Sequence, residues 1–389
     1  MSDPVAQSRT MANPPIFIQE IEPAEAFARQ RAGALLIDVR EEAERAIGTP
    51  RDATGIASGE LERGIVDRAP DLEREILTLC ASGRRSLRAA ETLQGLGYAR
   101  VASVRGGFAA WKQAALPLAE SLLDADMTER YSRHLLLPEI GAGGQGKLAA
   151  ARVALIGAGG LGAPASIYLA AAGVGWITLI DDDRVERSNL QRQIIHADAR
   201  VGMKKTESAR MALSALNPCI HIETSDQRLR AANVEELIRD HDVVIDGADN
   251  FPTRYLLNAA CLRLGIPLVY GAVHRFSGQV SVFDPRRPDS PCYRCLFPEP
   301  PAGADAPNCS EAGVLGVVPG VVGMLQATEA MKLVLGIGTS LAGRLLCYEA
   351  LYARFTELAL PRDRDCPGCG DSAQFQGYED IAQMCSARH

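Results

Sequence analysis

The sequence predicts an α/β protein of two domains, each built on a largely parallel sheet with helices packed against it. Short apolar runs, typical of buried parallel strands, alternate with amphipathic helix-like segments along most of the chain. The length of 389 residues exceeds that of one ordinary domain, and a stretch containing Pro117 and several small residues separates two such series. The predicted boundaries are 16–118 for a three-layer first domain, 119–126 for a linker and 127–389 for the second domain.

In the first domain, strands and helices are predicted in alternation. The predicted strands cover 34–39, 76–80 and 101–104, and the helices cover 23–31, 86–96 and 106–111.

The second domain is predicted to repeat this alternation over a longer stretch. Strands are predicted over 152–157, 176–181, 221–224, 242–246, 267–270 and 279–283, helices over 163–172 and 204–216, and a strand-like end over 344–358. We also predict a turn at Ser277-Gly278 and a loop over 298–313, which is rich in Pro, Gly and Ala.

Composition and charge exclude several classes of protein. Hydrophobic residues make up 47% and charged residues 23%, as in soluble globular proteins. The net charge of −7 argues against nucleic acid as a partner. No membrane span is expected, because the most apolar segment, 316–338, contains Glu329 and Lys332. Ten cysteines without a visible secretion signal predict a reducing, cytoplasmic location.

Two cysteine pairs, Cys292-x-x-Cys295 and Cys366-x-x-Cys369, have the spacing of a zinc ribbon. A CxxC turn lets two thiolates converge on one tetrahedral ion, and two pairs complete a four-sulfur site. Because such a site has no open position, the zinc would be structural. Two redox disulfides, or unrelated buried thiols, are the alternatives.

A glycine-rich turn, Gly157-Ala-Gly159-Gly160-Leu-Gly162, lies between a predicted strand and a predicted helix. This arrangement places a phosphate at the N-terminus of a helix. Asp181 ends the next strand, 19 residues after the last glycine, where a carboxylate can bind a ribose hydroxyl. The turn alone does not distinguish NAD from ATP, so an NAD-dependent oxidoreductase is one alternative.

The polar segment that follows favours a triphosphate. Asn189, Arg192 and Gln193 fall within five residues, and Lys205 follows in a pair of lysines. Transfer from a triphosphate requires such cations because charge moves onto the leaving pyrophosphate, whereas a hydride-transfer cofactor does not require them. Asp249 follows another strand end, where a carboxylate can hold magnesium on the phosphates.

Cys80 follows a predicted strand and opens a helix in Cys80-Ala-Ser-Gly-Arg-Arg-Ser86. Backbone N–H groups, the helix dipole, Arg84 and Arg85 favour the thiolate at this position. Cysteine phosphatases need an arginine six positions after the cysteine, and this chain has Ser86 there. The loop is therefore predicted to be of the sulfurtransferase kind, with a buried structural cysteine as the alternative.

Residues 127–370 resemble the ubiquitin-activating-like adenylyltransferases of the MoeB/ThiF group. The motifs that carry the resemblance are Arg130-Tyr-Ser-Arg133-His, the glycine-rich turn, Ser188-Asn-Leu-Gln-Arg-Gln193, Asp246-Gly-Ala-Asp-Asn250 and the two CxxC pairs. The resemblance implies a Rossmann-like domain with a mostly parallel sheet. It also implies the use of ATP and magnesium to adenylate the Gly-Gly carboxylate at the end of a ubiquitin-fold sulfur carrier, with release of pyrophosphate.

The same resemblance implies roles for single residues. Gly157, Gly159, Gly160 and Gly162 would lie at the phosphates, Asp181 would hold the ribose, Asn189, Arg192, Gln193 and Lys205 would contact phosphates, and Asp249 would bind magnesium. Arg133 would reach the ATP of the other subunit of a homodimer. Cys309 would form a thioester or a persulfide link with the carrier, with a bystander thiol as the alternative.

Residues 16–118 resemble a rhodanese domain through the Cys80 loop, Asp38-Val-Arg40 and Arg105-Gly-Gly-Phe-Ala-Ala-Trp111. The resemblance implies that Cys80 carries a persulfide, supplied by a donor such as a cysteine desulfurase, and that Asp38 and Arg40 serve structure. A stretch that contains histidine in the family reads Ile47-Gly-Thr-Pro-Arg-Asp-Ala here, without one.

The whole chain is thus expected to activate a sulfur carrier and to supply sulfur for its thiocarboxylate, in a pathway such as molybdopterin or thiamine synthesis. Two alternatives remain at this point. One is adenylation of another small carboxylate or peptide end, and the other is a non-catalytic scaffold that binds the carrier.

Overall fold

The computed structural model describes residues 17–46, 48–119, 124–300 and 313–378. Contacts divide the chain into two compact units, Met1–Ala142 and Gly143–His389. Each unit contains a sheet covered by helices, so the predicted α/β fold class is confirmed. The predicted domain boundaries stay a prediction.

The first unit has a five-stranded sheet in which every pairing is parallel. Its strands are β1 Gln19–Ile21, β2 Leu35–Asp38, β3 Thr54–Gly55, β4 Ile76–Leu79 and β5 Val101–Val104, in the order β1-β5-β4-β2-β3. Its helices are α1 Pro23–Arg31, α2 Glu42–Ala46, α3 Leu61–Arg68, α4 Arg84–Gly95, α5 Gly107–Gln113, α6 Ala125–Arg130 and α7 Ser132–Leu135.

Both faces of this sheet are covered. Because successive side chains of a strand point to opposite faces, Leu36 and Ile37 of β2 enter different cores. Leu36 packs with Trp111 of α5, and Ile37 packs with Ile65 of α3. The predicted three-layer architecture is therefore confirmed.

The second unit has an eight-stranded sheet of mixed direction. Its helices are α8 Gly141–Ala150, α9 Gly162–Ala172, α10 Lys205–Leu216, α11 Val234–Ile238, α12 Phe251–Leu264, α13 Tyr293–Leu296 and α14 Val317–Leu335. Its strands are β6 Arg152–Ile156, β7 Trp176–Ile180, β8 His221–Ser225, β9 Val243–Asp246, β10 Leu268–His274, β11 Ser277–Phe283, β12 Arg344–Glu349 and β13 Arg354–Ala359. Described 3₁₀ helices cover Arg187–Asn189, Asp198–Arg200 and Ala350–Tyr352.

The strand order is β13-β12-β11-β10-β9-β6-β7-β8, with β8 to β10 parallel and β11 to β13 antiparallel. The chain leaves β6 first to one side, to β7, and later to the other side, to β9. In such open sheets a crevice forms at the carboxyl ends of the strands where the order reverses. The carboxyl ends of β6 and β9 therefore define the expected position of a ligand site.

Helix α14 has 19 residues and is long and apolar enough, by length and composition, to cross a membrane. It nevertheless packs on α9, β10 and β11 within the second unit. Buried Gln326 donates from Nε2 to the carbonyl oxygens of Asp246 and Val269, and buried Glu329 accepts a bond from the N–H of Leu341. These contacts make α14 a core helix, as the sequence indicated.

The predicted turn at Ser277-Gly278 is wrong. Both residues belong to β11, opposite His274 and Val273 of β10, and the chain reverses one step earlier, where Arg275 has a φ of 53°. A Cβ at Gly278 would lie 2.3 Å from Cγ2 of Val322 on α14. This glycine therefore permits close packing of a helix against a strand and does not form a turn.

Gly162 is expected to be irreplaceable for packing in the second unit. Its Cβ would lie 1.8 Å from the carbonyl oxygen of Gly157, which is backbone and cannot move aside. Gly162→Ala should lower the free energy of unfolding of this unit by about 2 kcal/mol or more, measured by urea denaturation. Gly146→Ala is the matched control, because Gly146 lies in α8 with open space around it. It should be neutral or stabilising by up to about 1 kcal/mol.

Candidate functional site

A cavity of 310 Å³ opens at the carboxyl ends of β6, β7 and β9, where the topology places a crevice. The structure brings eight of the predicted site residues into its lining, namely Gly157, Gly159, Gly160, Asp181, Arg192, Gln193, Lys205 and Asp249. They come from five separate segments of the chain, so their convergence is a result of the fold.

The glycine-rich loop is shaped by two of its glycines. Gly157 has a φ of 96°, a conformation that L side chains rarely adopt, and its Cβ would meet the carbonyl oxygen of Gly247 at 2.8 Å. Gly162 does not line the cavity; it allows α9 to begin directly against β6. Gly159 and Gly160 remain at the cavity, beside the N-terminus of an 11-residue helix, which favours an anion.

Asp181 supports the glycine-rich loop through a hydrogen bond with its backbone. One carboxylate oxygen accepts a 2.7 Å hydrogen bond from the N–H of Ala158, and the other accepts one of 2.9 Å from the N–H of Asp183. Burial raises the pKa of Asp181, and the nearby Lys205 charge and these two N–H groups oppose the rise. The carboxylate therefore lies at a fixed position on the cavity wall.

Lys205 has a partner that the sequence did not reveal. Its Nζ donates to a carboxylate oxygen of Asp183 at 2.7 Å. The lysine side chain is only 6% exposed, whereas the aspartate is 65% exposed. The exposed carboxylate is well hydrated and holds the lysine weakly, so Lys205 can turn to a phosphate. The one feature of the sequence that could have indicated this pair is the acidic Asp183, two positions after Asp181.

Arg192 is held by Asn189. The guanidinium donates from Nη2 to the side-chain oxygen of Asn189 at 2.7 Å, and Arg192 lines the cavity whereas Asn189 does not. Gln193 is buried and its side-chain oxygen has no partner in the described structure. In the structure Asn189 positions Arg192, and its predicted contact with phosphate stays a prediction.

Asp249 is presented by a rigid loop. Asp246, the last residue of β9, accepts a 2.9 Å bond from the N–H of Ala248, and Arg254 donates to the carbonyl oxygen of Ala248 at 2.8 Å. Asp246 is fully buried, and burial raises its pKa to about 6 against the opposing charge of Arg254. The sequence did not single out Arg254 or Gln326, which both fix this loop. Asp249 itself is exposed, and its carboxylate accepts a 3.3 Å bond from the side-chain amide of Asn250.

The cavity does not test the roles predicted for Arg133 and Cys309. Arg133 is exposed on α7, within the part of the chain that contacts assign to the first unit. Cys309 lies outside the residues that the structure describes. The roles implied for both stay predictions.

The four cysteines of the CxxC pairs form one cluster, with all four Sγ atoms within 4.8 Å of one another. The Cys292–Cys366 and Cys295–Cys369 sulfur distances are 3.6 and 3.4 Å. A tetrahedral ion at about 2.3 Å from each sulfur would have edges of about 3.8 Å, close to these distances. The donor set therefore fits zinc, and the alternative of two separate redox pairs does not explain the single cluster.

In the first unit, Cys80 is buried at the end of β4. Its sulfur lies 3.1 Å from the N–H of Gly83 and 3.4 Å from the hydroxyl of Ser86. Burial alone would raise the pKa of this thiol, but the hydrogen bonds from Ser86 and from loop N–H groups outweigh burial and lower it. The thiolate is thus favoured mainly by hydrogen bonds.

The two arginines of this loop differ in their environment. Arg85 makes two hydrogen bonds with the carboxylate of Glu44, at 2.6 and 2.7 Å. Its charge is therefore partly neutralised and contributes less to the thiolate than the sequence suggested. Arg84 is exposed.

Asp38 and Arg40 form a buried ion pair, with Nε of Arg40 2.9 Å from the carboxylate. Arg40 also donates to the carbonyl oxygens of Glu44 and Gly48. In the stretch that lacks the family histidine, Thr49 donates its hydroxyl to Asp38 at 2.9 Å. The pair therefore holds the loop after β2.

Comparison with known proteins identifies relatives of both parts of the chain. Residues 131–368 match the ThiF family and residues 22–114 match the rhodanese-like domain. The SAMP-activating enzyme E1 of Haloferax volcanii is 52% identical over 259 residues, which cover 67% of this chain and 94% of that protein. The sulfur carrier protein adenylyltransferase of Thermus thermophilus is 48% identical over 265 residues, covering 67% of this chain and 97% of its own.

A relative with both activities in its name is the probable adenylyltransferase/sulfurtransferase MoeZ of Mycobacterium tuberculosis, 46% identical over 276 residues, or 69% of this chain and 70% of that protein. Among solved structures, that of E. coli MccB with ATP aligns with a TM-score of 0.55 at 23% identity, over 64% of this chain and 76% of that one. At this identity the likeness shows a shared fold.

Ser86 is expected to control the ionisation of Cys80. Ser86→Ala should raise the pKa of the Cys80 thiol, since it removes a hydroxyl hydrogen bond that favours the thiolate. The measurement is the pH dependence of alkylation at Cys80, followed by mass spectrometry of its peptide. Ser82→Ala removes an exposed hydroxyl from the same loop and should leave the pKa unchanged. An unchanged pKa in Ser86→Ala would mean that backbone N–H groups alone lower it.

Proposed function

The chain belongs to the ThiF family, carries a rhodanese-like domain and is an adenylyltransferase, and we propose that its substrate is the C-terminal Gly-Gly carboxylate of a ubiquitin-fold sulfur carrier. The observation that carries the proposal is the convergence of the glycine-rich loop, Arg192, Lys205 and Asp249 on one crevice. A hydride-transfer cofactor requires no such set of charges, whereas departure of pyrophosphate does. Relatives named as sulfur carrier protein adenylyltransferases support the choice of carrier.

In this proposal the second unit holds ATP across the switch point of the sheet. Asp181 accepts a bond from a ribose hydroxyl, and the N–H groups around Gly159 and Gly160 contact phosphate oxygens at the N-terminus of α9. Arg192 extends from its bond with Asn189 toward the phosphates. When ATP binds, Lys205 breaks its bond with the hydrated carboxylate of Asp183 and donates to a phosphate oxygen instead. The positive charge of Lys205 therefore acts on the phosphates only in the ATP complex.

The chemical step is an in-line displacement at the α-phosphorus. A carboxylate oxygen of the carrier forms a bond to the α-phosphorus while the bond to the bridging oxygen of the β-phosphate breaks, and pyrophosphate leaves with that electron pair. The protein contributes positioning and neutralisation of charge, because no group of the chain needs to form a covalent bond. Asp249 offers the hard oxygen ligand that magnesium prefers, and the ion would neutralise phosphate charge.

An exposed apolar patch supports a protein substrate. It consists of Phe276, Leu351, Tyr352 and Phe355, which are 39 to 73% exposed. These residues lie at the turns that follow β10 and β12, and β10 runs parallel to β9 whereas β12 pairs antiparallel with β11. The patch therefore lies on the same edge of the sheet as the crevice, to which Val273, just before the β10–β11 turn, contributes directly. A carrier docked on the apolar patch can pass its C-terminus into the crevice.

Sulfur transfer is proposed to follow at Cys80. The outer sulfur of a Cys80 persulfide attacks the acyl carbon of the adenylate and AMP leaves, giving an acyl disulfide between carrier and enzyme. A thiol of an external dithiol reductant then attacks the Cys80 sulfur, and the carrier leaves as a thiocarboxylate. The second thiol of the reductant opens the resulting mixed disulfide and frees Cys80. Cys309 remains a candidate for a thioester or persulfide link with the carrier. The lowered pKa of Cys80 makes it able to accept sulfane sulfur from a donor such as a cysteine desulfurase.

The remaining parts of the proposal rest on the family resemblance. The chain forms a homodimer in which Arg133 reaches the ATP of the neighbouring subunit. The four-cysteine cluster holds a structural zinc that ties the segment after β13 to the loop before α13. Function in a reducing cytoplasm fits the eight described cysteines, none of which forms a disulfide.

ATP–pyrophosphate exchange tests the adenylation. The full chain, with a Gly-Gly-ending carrier, should catalyse exchange, and a carrier lacking its last two glycines should not support it. Lys205→Ala and Asp249→Ala should each lower the exchange rate by about 10²-fold. Lys204→Ala is the matched control, because Lys204 pairs with Asp226 outside the cavity, and it should stay within about twofold.

The other outcomes identify the alternatives. If a short peptide or a small carboxylate supports exchange and a folded carrier does not, the substrate is that smaller molecule and the carrier is excluded. Tight carrier binding without any exchange would indicate a scaffold.

The apolar patch should determine recognition of the carrier. Phe355→Asp should raise the KM for the carrier by about tenfold, because it places a charge in the buried part of the interface, and should leave the KM for ATP unchanged. Thr356→Asp, its neighbour on the opposite face of β13, is the control and should leave both constants near wild type. Equal effects of the two substitutions would place the carrier elsewhere.

A further inference from the structure

His196 is a buried histidine that the reaction above does not use. It is 7% exposed and lies on the segment between β7 and α10. Its Nε2 is 3.0 Å from the carbonyl oxygen of Ala158 in the glycine-rich loop, and its Nδ1 is 2.9 Å from the hydroxyl oxygen of Ser208 in α10. The ring therefore bridges the loop and the helix.

The partners determine which nitrogen carries the proton. A carbonyl oxygen can only accept, so Nε2 must donate to Ala158, and Nδ1 of the neutral ring then accepts from the hydroxyl of Ser208. Burial, with the nearby charges of Lys205 and Arg200, lowers the pKa of His196 to about 4. The ring is consequently neutral and held in one tautomer.

The two peptide groups that flank the Cα atom of Ala158 are thereby both fixed. The N–H of Ala158 donates to Asp181 at 2.7 Å, while its carbonyl oxygen accepts from His196. On the other side of the ring, Ser208 lies three residues after Lys205, in the first turn of α10. His196 thus connects the loop whose glycines line the cavity with the helix whose first residue, Lys205, also lines it.

We propose that His196 is a positioning residue that holds the glycine-rich loop and α10 at the separation at which both contact one triphosphate. The inference rests on the proposed ATP chemistry. His196 is absent from the cavity lining and acts only through Ala158 and Ser208. The loop and Lys205 contact the phosphates both in the ground state and in the transition state. Loss of His196 should therefore weaken binding of ATP more than it slows the chemical step.

The test uses the full chain with a non-hydrolysable ATP analogue, measured by calorimetry, together with exchange kinetics. His196→Phe keeps a ring of similar size and removes both hydrogen bonds. It should raise the Kd of the analogue and the KM for ATP by about tenfold, with kcat within about threefold and the KM for the carrier unchanged. His196→Gln supplies an amide donor and should recover most of the loss.

Ser208→Ala tests the bridge without altering the histidine. It should raise the Kd of the analogue by about threefold, since only the bond on the helix side is lost. Ser166→Ala is the matched control, because Ser166 is equally buried but bonds only to Ala163 within α9. It should leave the Kd unchanged, even if both serine variants lower the melting temperature.

An unchanged Kd in Ser208→Ala and His196→Phe would overturn the inference, as would losses that Ser166→Ala reproduces. If His196→Phe fails to fold, the comparison of Ser208→Ala with Ser166→Ala and the response of His196→Gln still decide it. A wild-type chain that does not bind the analogue would instead overturn the proposed function, so the two failures are distinguishable.

Discussion

The close approach of α9 to the end of β6 is the constraint on which the second unit depends. The helix begins where a Cβ at Gly162 would overlap the carbonyl oxygen of Gly157, so only glycine allows it to start there. This contact points the N-terminus of α9 across the carboxyl ends of the parallel strands. The partial positive charge of that terminus, the carboxylate of Asp181 and the cations that follow therefore meet in one crevice.

Both units stabilise a functional loop in the same way. An aspartate at the end of a parallel strand is buried and paired with an arginine a few residues later: Asp38 with Arg40 in the first unit and Asp246 with Arg254 in the second. Arg40 also donates to the carbonyl oxygens of Glu44 and Gly48. Arg254 donates to those of Ala248 and Gly271. Removing two charges from water makes such a pair a poor source of stability. Its effect here is to give the loop a single conformation.

The cationic groups of the two sites are restrained rather than free. Lys205 bonds to Asp183, Arg192 to Asn189, and Arg85 to Glu44. Such bonds reduce the number of rotamers that a long side chain loses when it binds an anion. The exposed carboxylate of Asp183 can be displaced at low energetic cost, whereas the neutral Asn189 leaves the full charge of Arg192 available. The bond to Asp183 thus holds Lys205 until an anion replaces the carboxylate, whereas the bond to Asn189 orients Arg192 without neutralising its charge.

The order of motifs in the sequence was sufficient to predict the α/β class, the strand–turn–helix around Gly157 and Gly162, and the four-cysteine cluster. These features depend on residues close in sequence, or on ligands whose chemistry requires a common partner. Reliance on local sequence also explains the wrong turn prediction at Ser277-Gly278. The composition of this pair is typical of a turn, but Gly278 is required by close packing against Val322, which is distant in sequence.

The sequence by itself therefore determined which residue types take part and at which strand ends they lie. Only the tertiary structure decided how they are paired: Lys205 with Asp183, Arg85 with Glu44, and His196 between Ala158 and Ser208. The partners are as many as 41 residues apart, and no periodicity of the chain encodes their contact. They meet because parallel pairing aligns the strand ends and because the packing of helices determines which side chains face each other there.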